Sequence, residues 1–319
     1  MSIMSTQSKK KVHIADTAFV IGSGPSLKNV DMSLLKGLDT FSMNRQYIAY
    51  EDWGFYPKFY TLIDDKLGDT IHKDIYDLMM NPECSIQHYL MRGPGYAHLR
   101  DLLGGPRGIA KHKKKFGFWN LGEAVTNSNG AVDKTVDPLE WGKITEREIN
   151  AGDLSELVKL YPPFDGNCGS YTTSLAFYLG YRRVVLLGVD GNYTGRDESV
   201  EKGYDVEHFH PEYFDPKKFV HGQTQGFADD HAFLGHWFRM KHGNDLRATK
   251  NGDPTAERAM DQLCANPNFE IISASEGSLL NKGQSIPKTI KYGDIVEDWG
   301  GIFDYISLED ILEHHTLWD

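Results

Sequence analysis

The chain has 319 residues, 40% of them hydrophobic and 25% charged, with 34 basic against 45 acidic side chains and a net charge of −11. That is the composition of a soluble globular protein. It excludes a disordered chain and a general nucleic-acid binder, which needs a basic face for phosphates. The length suits one large α/β domain with an inserted lid, or two small domains.

Residues 1–11 read as a disordered tail. The opening "MSIMSTQSKKKVH" has no apolar core for export, and no apolar run is long enough to span a bilayer as a helix. The three cysteines, Cys84, Cys168 and Cys264, are odd in number and match no zinc or redox spacing. A reducing cytoplasmic location follows as the expectation, with any membrane-linked acceptor met from the cytosolic side.

From residue 12 to 190, strand-like and helix-like segments alternate. "TAFVIG" is a short apolar strand that stops at Gly22, followed by the loop Gly22-Ser23-Gly24-Pro25-Ser26. "DMSLLKGL" is a turn or two of helix capped by Asp31. "DTFSMN" is a second strand and "KFYTLID" a third. Residues 101–163 are polar, carry Gly and Pro, and read as an irregular insertion. Within them "KHKKK", Lys111 to Lys115, is either a solvated loop or a contact for anionic lipid or a charged glycan.

"GSYTTSLAFYLGY" reads as a helix entered from Gly166-Asn167-Cys168-Gly169-Ser170. "RRVVLLGVD" is a continuous apolar strand of the kind buried on both faces of a parallel sheet. Residues 191–251, rich in histidine and aromatics, form a lid over the sheet's carboxyl edge. Residues 252–284 return to the sheet with the late strand "FEIISAS". Residues 285–319 hold a short helix, "SLEDILEHH", in a C-terminal appendage. The alternation predicts an α/β fold with a doubly wound, mostly parallel sheet, Rossmann-like, with an inserted lid.

Open α/β sheets bind ligands beyond the carboxyl ends of their strands. Those ends carry Gly22 to Ser26, then Asn44, then Asp64 and Asp65, then Gly188 and Asp190, and finally Gly277 and Ser278. Glycines let backbone approach a ligand, and a helix N-terminus with free N–H groups favours an anion. The set points to a nucleotide site. It is neither a Walker loop, since no Gly-Lys-Ser/Thr follows, nor the dinucleotide fingerprint, since Leu27 stands where the third glycine belongs. A tight structural turn is the plain alternative for "GSGPS" taken alone.

Acid–base candidates fall in the lid. Six of the 13 histidines lie between His208 and His242. In "EHFHPEYF", His208 and His210 are two residues apart, so an extended backbone points both rings to one side. General base, metal ligand and lid packing are all open for them, although no third ligand has convincing metal spacing. Asp229, Asp230 and His231 are equally ambiguous. Tyr193 and Tyr213 either hydrogen-bond a departing phosphate or pack.

Three blocks, "IGSGPSLKNVD", "FSMNRQYIAYED" and "GSYTTSLAFYLGYRRVVLLGVDGNY", resemble the bacterial sialyltransferases of glycosyltransferase family 42 and the wider MptE-like and Maf-type glycosyltransferase superfamily. The resemblance covers about half the chain. It implies transfer of a sialic-acid-like nonulosonic acid from a CMP-activated donor to a glycan or glycolipid hydroxyl, by inversion and without a metal cofactor. It also implies that the Rossmann-like sheet is a variant of the GT-A type; peripheral contact with the inner face of a membrane and self-association are left open. Carried across, Gly22, Ser23, Gly24, Pro25 and Ser26 line the nucleotide, and Asn44 contacts the donor. The helix-entry turn is Asn167, Cys168 and Gly169, and lid tyrosines such as Tyr193 steady the leaving phosphate. His210 is the likelier base and His208 the other candidate. The chain departs from the family at Asp190-Gly191-Asn192-Tyr193, where the tyrosine shifts by one, and at Asp64-Asp65, which is closer to the Maf-type and MptE-like pattern. A magnesium-dependent pyrophosphokinase using Asp64, Asp65 and Asp190, or an inactive nucleotide-binding partner, are the alternatives.

Overall fold

Five consecutive buried residues, Thr17–Ile21, form β1. Burial of every residue on a strand means that both its faces are covered, the condition of a parallel sheet with helices on each side. The computed structural model describes residues 16–120, 168–179, 181–191, 196–214, 270–284, 291–292, 295–296 and 303–316. The expected tail, most of the 101–163 insertion, the greater part of the lid, Asn167, Tyr193, Asp229, Asp230, His231 and Cys264 lie outside the described residues.

The strands expected from the apolar runs are β2 (Thr40–Met43), β3 (Phe59–Leu62), β6 (Arg183–Leu187) and β7 (Glu270–Ser273). They join β4 (His88–Met91), β5 (Gly117–Asn120) and β10 (Asp304–Tyr305) in one eight-stranded sheet of order β10-β7-β6-β1-β2-β3-β4-β5. Every pairing in it is parallel. A separate antiparallel pair, β8 (Lys291–Tyr292) and β9 (Ile295–Val296), lies outside it. The chain runs outward from β1 to β5, then returns to β6 on the other side of β1. The order therefore reverses between β1 and β6, which is the switch point of a doubly wound sheet.

The helices follow their local chemistry. α1 (Tyr50–Trp53) ends at Gly54 in the left-handed region. α2 (Asp65–Met80) is capped by Asp64, whose side chain accepts from Leu67 N. It buries Ile71, Ile75 and Met79 at a four-residue spacing. α3 (Gly93–Leu102) packs on α2, and α4 (Gly105–His112) packs on α3. α5 (Cys168–Tyr178) lies on β1, β2, β3 and β6, with Thr172, Thr173, Ala176 and Phe177 buried. α6 (Arg196–Lys202) opens the described part of the lid. α7 (Leu308–Thr316) puts Leu308 and Ile311 into the core. The "DMSLLKGL" turn is a short 3-10 helix, Met32–Leu35, capped by Asp31 as expected.

Three readings change. The start of the expected irregular insertion is ordered: residues 105–112 are helical, and 117–120 are the sheet's outer strand. Its apolar content, Phe116, Phe118 and Trp119 interrupted by Gly117 and preceded by three lysines, is too short to stand out as a strand. β4 was not foreseen because Gln87 and His88 break the apolar pattern. His88 is accommodated by stacking on Phe59 at 5.0 Å, and burial lowers its pKa, helped by Lys58. The last segment supplies a strand, since β10 pairs with β7 and Ile306 N donates to Ser273 O at 3.0 Å. Two residues are too few to show a period.

Candidate functional site

The exits of β1 and β6 touch. Gly22 N donates to Leu187 O at 2.6 Å, and Gly24 N donates to Gly188 O at 2.7 Å. A Cβ on Gly22 would lie 2.4 Å from Gly188 O, and one on Gly24 would lie 2.4 Å from Asp190 Oδ2. Gly188 has φ +63°, and a Cβ there would meet Leu27 Cγ at 2.4 Å. Gly22 is required by backbone meeting backbone, and Gly24 and Gly188 by the Asp190 and Leu27 side chains packed against them, so all three serve the turn before any ligand.

Asp190 then closes the loop from the far side. It accepts from Ser26 N at 2.8 Å and from Ser26 Oγ. Burial pushes its carboxyl above the ordinary value, while the two Ser26 donors pull it back. The donors of Gly22, Gly24 and Ser26 that the sequence offered to a phosphate are thus engaged within the protein. Proline has no N–H at position 25, so Ser23 supplies the loop's remaining N–H without a partner among the described residues. The Ser278 hydroxyl is likewise used: it donates to Val189 O at 2.6 Å, and Leu279 N donates to Asp190 O at 2.9 Å. Ser278 and Leu279 latch the exit of β7 onto that of β6, where the sequence reading had placed Gly277 and Ser278 against a ligand; Gly277 supplies a left-handed turn with φ +74°.

On the other side of β1, Asn44 ends β2 with φ +54°, the described non-glycine residue with positive φ. The Tyr60 hydroxyl donates to its carbonyl, and Cys168 Sγ lies 3.5 Å from its Oδ1. Cys168 opens α5, yet burial pushes its thiol up to about 11, with Asp64 raising it further. Asn44, Asp64, Cys168 and Gly169 therefore gather at the same edge as Gly22 to Ser26. Two neighbours were missed from sequence. Gln46, fully buried, donates from Nε2 to Ile21 O, Gly22 O and Ser23 Oγ, and accepts from Met43 N. Arg45 donates from Nη1 to Tyr213 O at 2.7 Å. No pattern in "NRQ" announces either role, because both depend on the turn that Asn44 makes.

The described lid segment, residues 203–214, sits on this edge. Phe209 N donates to Ser23 O at 3.0 Å, and the Phe209 ring lies 5.6 Å from Trp53. Gln46 donates to Ser23 Oγ, and Ser23 Oγ donates to the Tyr213 hydroxyl at 2.8 Å. The Asn44 side chain is a further hydrogen-bond partner of the phenol. Burial pushes the phenol up to about 12, so it keeps the proton at neutral pH. Tyr213 is a donor held beside Ser23.

Residues 207–210 are a run of bends, not the extended backbone that would point the His208 and His210 rings to one side. The two rings differ. His208 Nδ1 is 2.7 Å from Asp205 Oδ2, with Asp205 only 3% exposed, and its ring stacks on Tyr213 at 4.4 Å. Asp205 Oδ1 accepts from Glu207 N at 2.9 Å. A carboxylate on Nδ1 places the proton there and leaves Nε2 as the basic nitrogen. His210 Nδ1 instead accepts from Glu212 N at 3.2 Å, which puts the proton of the neutral ring on Nε2. The Asp205–His208 spacing of three residues stood in "DVEH" unnoticed.

No family model matches the chain, and no curated protein matches it. Solved structures do. One is a point variant of the sialyltransferase CST-II in complex with CMP, 16% identical with a TM-score of 0.37, covering 93% of this chain and 97% of that one. A second is the apo α-2,3-sialyltransferase from Campylobacter jejuni, 14% identical with a TM-score of 0.36, covering 95% and 94%. A third is CstII from Campylobacter jejuni in complex with the substrate analogue CMP-3FNeuAc, 15% identical with a TM-score of 0.36, covering 90% and 88%. At these values the chain is similar to them in outline only.

Proposed function

We propose that the chain is a glycosyltransferase that moves an acidic, sialic-acid-like sugar from a CMP-activated donor to a hydroxyl of a glycan or glycolipid, without a metal cofactor. The motif resemblance in "IGSGPSLKNVD" and the third block supports the donor class. The observation that carries the reading is the meeting of Ser23, at the switch point of the sheet, with a lid segment bearing a carboxylate-held imidazole and a protonated phenol. Solved sialyltransferase structures with CMP or a CMP-sugar analogue bound are similar to it in outline.

In this reading the nucleotide phosphate lies at Ser23. Its backbone N–H and the Tyr213 hydroxyl donate to the phosphate as it takes up charge on leaving. His208 Nε2 takes the proton of the acceptor hydroxyl, whose oxygen forms the new bond to the anomeric carbon as the bond to the CMP oxygen breaks. The pairing with Asp205 favours His208 over His210, reversing the order implied by the resemblance. Asn44, Asp64, Cys168 and Gly169 shape the donor side, while Gly22, Gly24, Ser26, Gly188 and Asp190 hold the loop. No helix among the described residues is long and apolar enough to cross a membrane. A peripheral position at the cytosolic face is part of the proposal.

The pyrophosphokinase alternative needs Asp64, Asp65 and Asp190 to converge on magnesium. Asp190 is bound to Ser26, Asp64 caps α2, and no three potential ligands gather among the described residues. Thermal shift with CMP, CDP, UDP and ATP, each with EDTA or with magnesium, tests the reading. Ligand at a hundred times its Kd adds about 2.7 kcal/mol, a rise of several degrees in Tm. CMP is expected to stabilise in EDTA; stabilisation by ATP with magnesium alone would overturn the proposal.

A further inference from the structure

In a chain of net charge −11, the stretch from Leu103 to Phe116 carries five basic residues and no acidic one. The structure orders it. α4 turns Gly108, Ile109 and His112 inward, where Ile109 packs on the core and His112 stacks on Phe116 at 5.8 Å. The opposite face is exposed: Pro106, Arg107, Ala110 and Lys111, continued by Lys113 and Lys114. Arg107 and Lys111 are spaced i, i+4 on one face of α4, and Lys113 and Lys114 follow in the exposed turn that ends it, so the cations form one continuous stripe.

Lys115 is different. Its Nζ donates to Met79 O at 2.9 Å and Asn81 O at 3.0 Å, at the carboxyl end of α2, where a cation complements the helix dipole. The other four cations have no carboxylate partner among the described residues. By contrast Lys58, Arg100, Arg183, Lys202 and Lys282 are each paired with one. Beside the stripe stands Leu102, 45% exposed at the end of α3. A concentrated, unneutralised cationic stripe flanked by Leu102, Pro106 and Ala110 has the chemistry of a surface that lies on anionic headgroups with shallow apolar contact.

We propose that this face of α4 is a docking surface for an anionic lipid bilayer. α4 leads into β5, four strands away from β1 in the sheet, a separation on the order of 20 Å. The surface is therefore separate from the Ser23 site. It would tether the protein, and it does not depend on the donor chemistry proposed above.

The test is flotation of the full chain with two kinds of vesicle: phosphatidylcholine alone, and two parts phosphatidylcholine to one part phosphatidylglycerol. Binding is expected to the second only, and to be lost as salt shortens the Debye length from about 10 Å at 0.1 M to 3 Å at 1 M. Each cation near such a surface contributes about fivefold in affinity. The combined variant Arg107→Glu, Lys111→Glu, Lys114→Glu should therefore bind at least about a hundredfold more weakly. The charge-matched control Lys36→Glu, Lys66→Glu, Lys73→Glu changes exposed lysines elsewhere and should retain most of the binding. Equal binding to both vesicles, undiminished binding by the α4 variant, or an equal loss in the control would overturn the proposal. Circular dichroism checks that the variants fold. A parent chain that floats without responding to CMP would count against the function proposed above and leave the docking surface standing.

Discussion

Ser26 and Asp190, 164 residues apart in the chain, are joined twice: backbone N to Oδ2 at 2.8 Å, and hydroxyl to Oδ1. The pair closes the turn at which the sheet order reverses. Asp190→Ala leaves Ser26 N without an acceptor and is expected to cost about 1–3 kcal/mol in urea unfolding. Asp190→Asn should cost less, because an amide can accept from Ser26 N and donate to Ser26 Oγ. Burial raises the Asp190 pKa, so the native state keeps this proton where the unfolded chain has lost it. The contribution of the group then falls as pH rises from the ordinary carboxylate value through the raised one. Asp190→Asn should abolish that part of the pH dependence; an unchanged acid limb would show that Asp190 is not the group responsible.

Two glycines with similar backbone separate strain from crowding. Gly188 has φ +63° and a Cβ there would lie 2.4 Å from Leu27 Cγ, whereas Gly283 has φ +85° with nothing within 4 Å. Alanine at Gly283 pays the left-handed backbone alone, about 1–2 kcal/mol. Alanine at Gly188 adds overpacking of about 1–3 kcal/mol. Urea titrations of the two variants should differ by that second amount. Equal losses would mean that the β1–β6 crossing relaxes freely.

The apolar runs made β1, β2, β3, β6 and β7 readable, and with them the parallel sheet and the edge where Gly24, Asn44 and Asp190 gather. What the runs could not give was the direction of each hydrogen bond at that edge. "GSGPS" reads as a phosphate loop because glycine and serine suit one, yet Gly24 faces Asp190 and Ser26 spends both donors on it. Residue type specifies that a donor exists; tertiary contact decides who receives it. Gln46 and Arg45 were invisible for the same reason. β4, β5 and β10 were missed because strands of two to four residues are too short to show a period, and their place in the sheet comes from neighbours distant in sequence.

Buried phenols should set the alkaline limit of the fold. Burial raises the pKa of Tyr50, Tyr60, Tyr89, Tyr171, Tyr181 and Tyr213, the last to about 12. A raised folded value means that the native state holds these protons above pH 10 while the unfolded chain releases them. Stability is then undiminished by these groups below about pH 10 and falls as pH rises beyond it. Absorbance of tyrosinate near pH 11 should show only the exposed phenols until a cooperative unfolding step releases the rest. A smooth titration of every tyrosine in the native protein would contradict the burial described.

The sharpest distinction lies between His208 and His210. With Asp205 at 2.7 Å from its Nδ1, neutral His208 should carry its proton there, and neutral His210, accepting at Nδ1, should carry it on Nε2. Long-range nitrogen NMR reads the two tautomers directly, whatever reaction the protein performs. Asp205→Asn can donate where the carboxylate only accepts, and should turn His208 toward the Nε2–H form. If His208 is the general base, His208→Ala should lower transfer by about 10²–10⁴-fold. Asp205→Asn should lower it less severely than His208→Ala, with the tautomer change as its signature. His210→Ala should stay within about tenfold of the parent, since its loss removes no base of the required form. The reverse ranking, with His210→Ala inactive and His208→Ala near parental, would return the proton transfer to His210 and leave Asp205 as a structural cap on the lid turn.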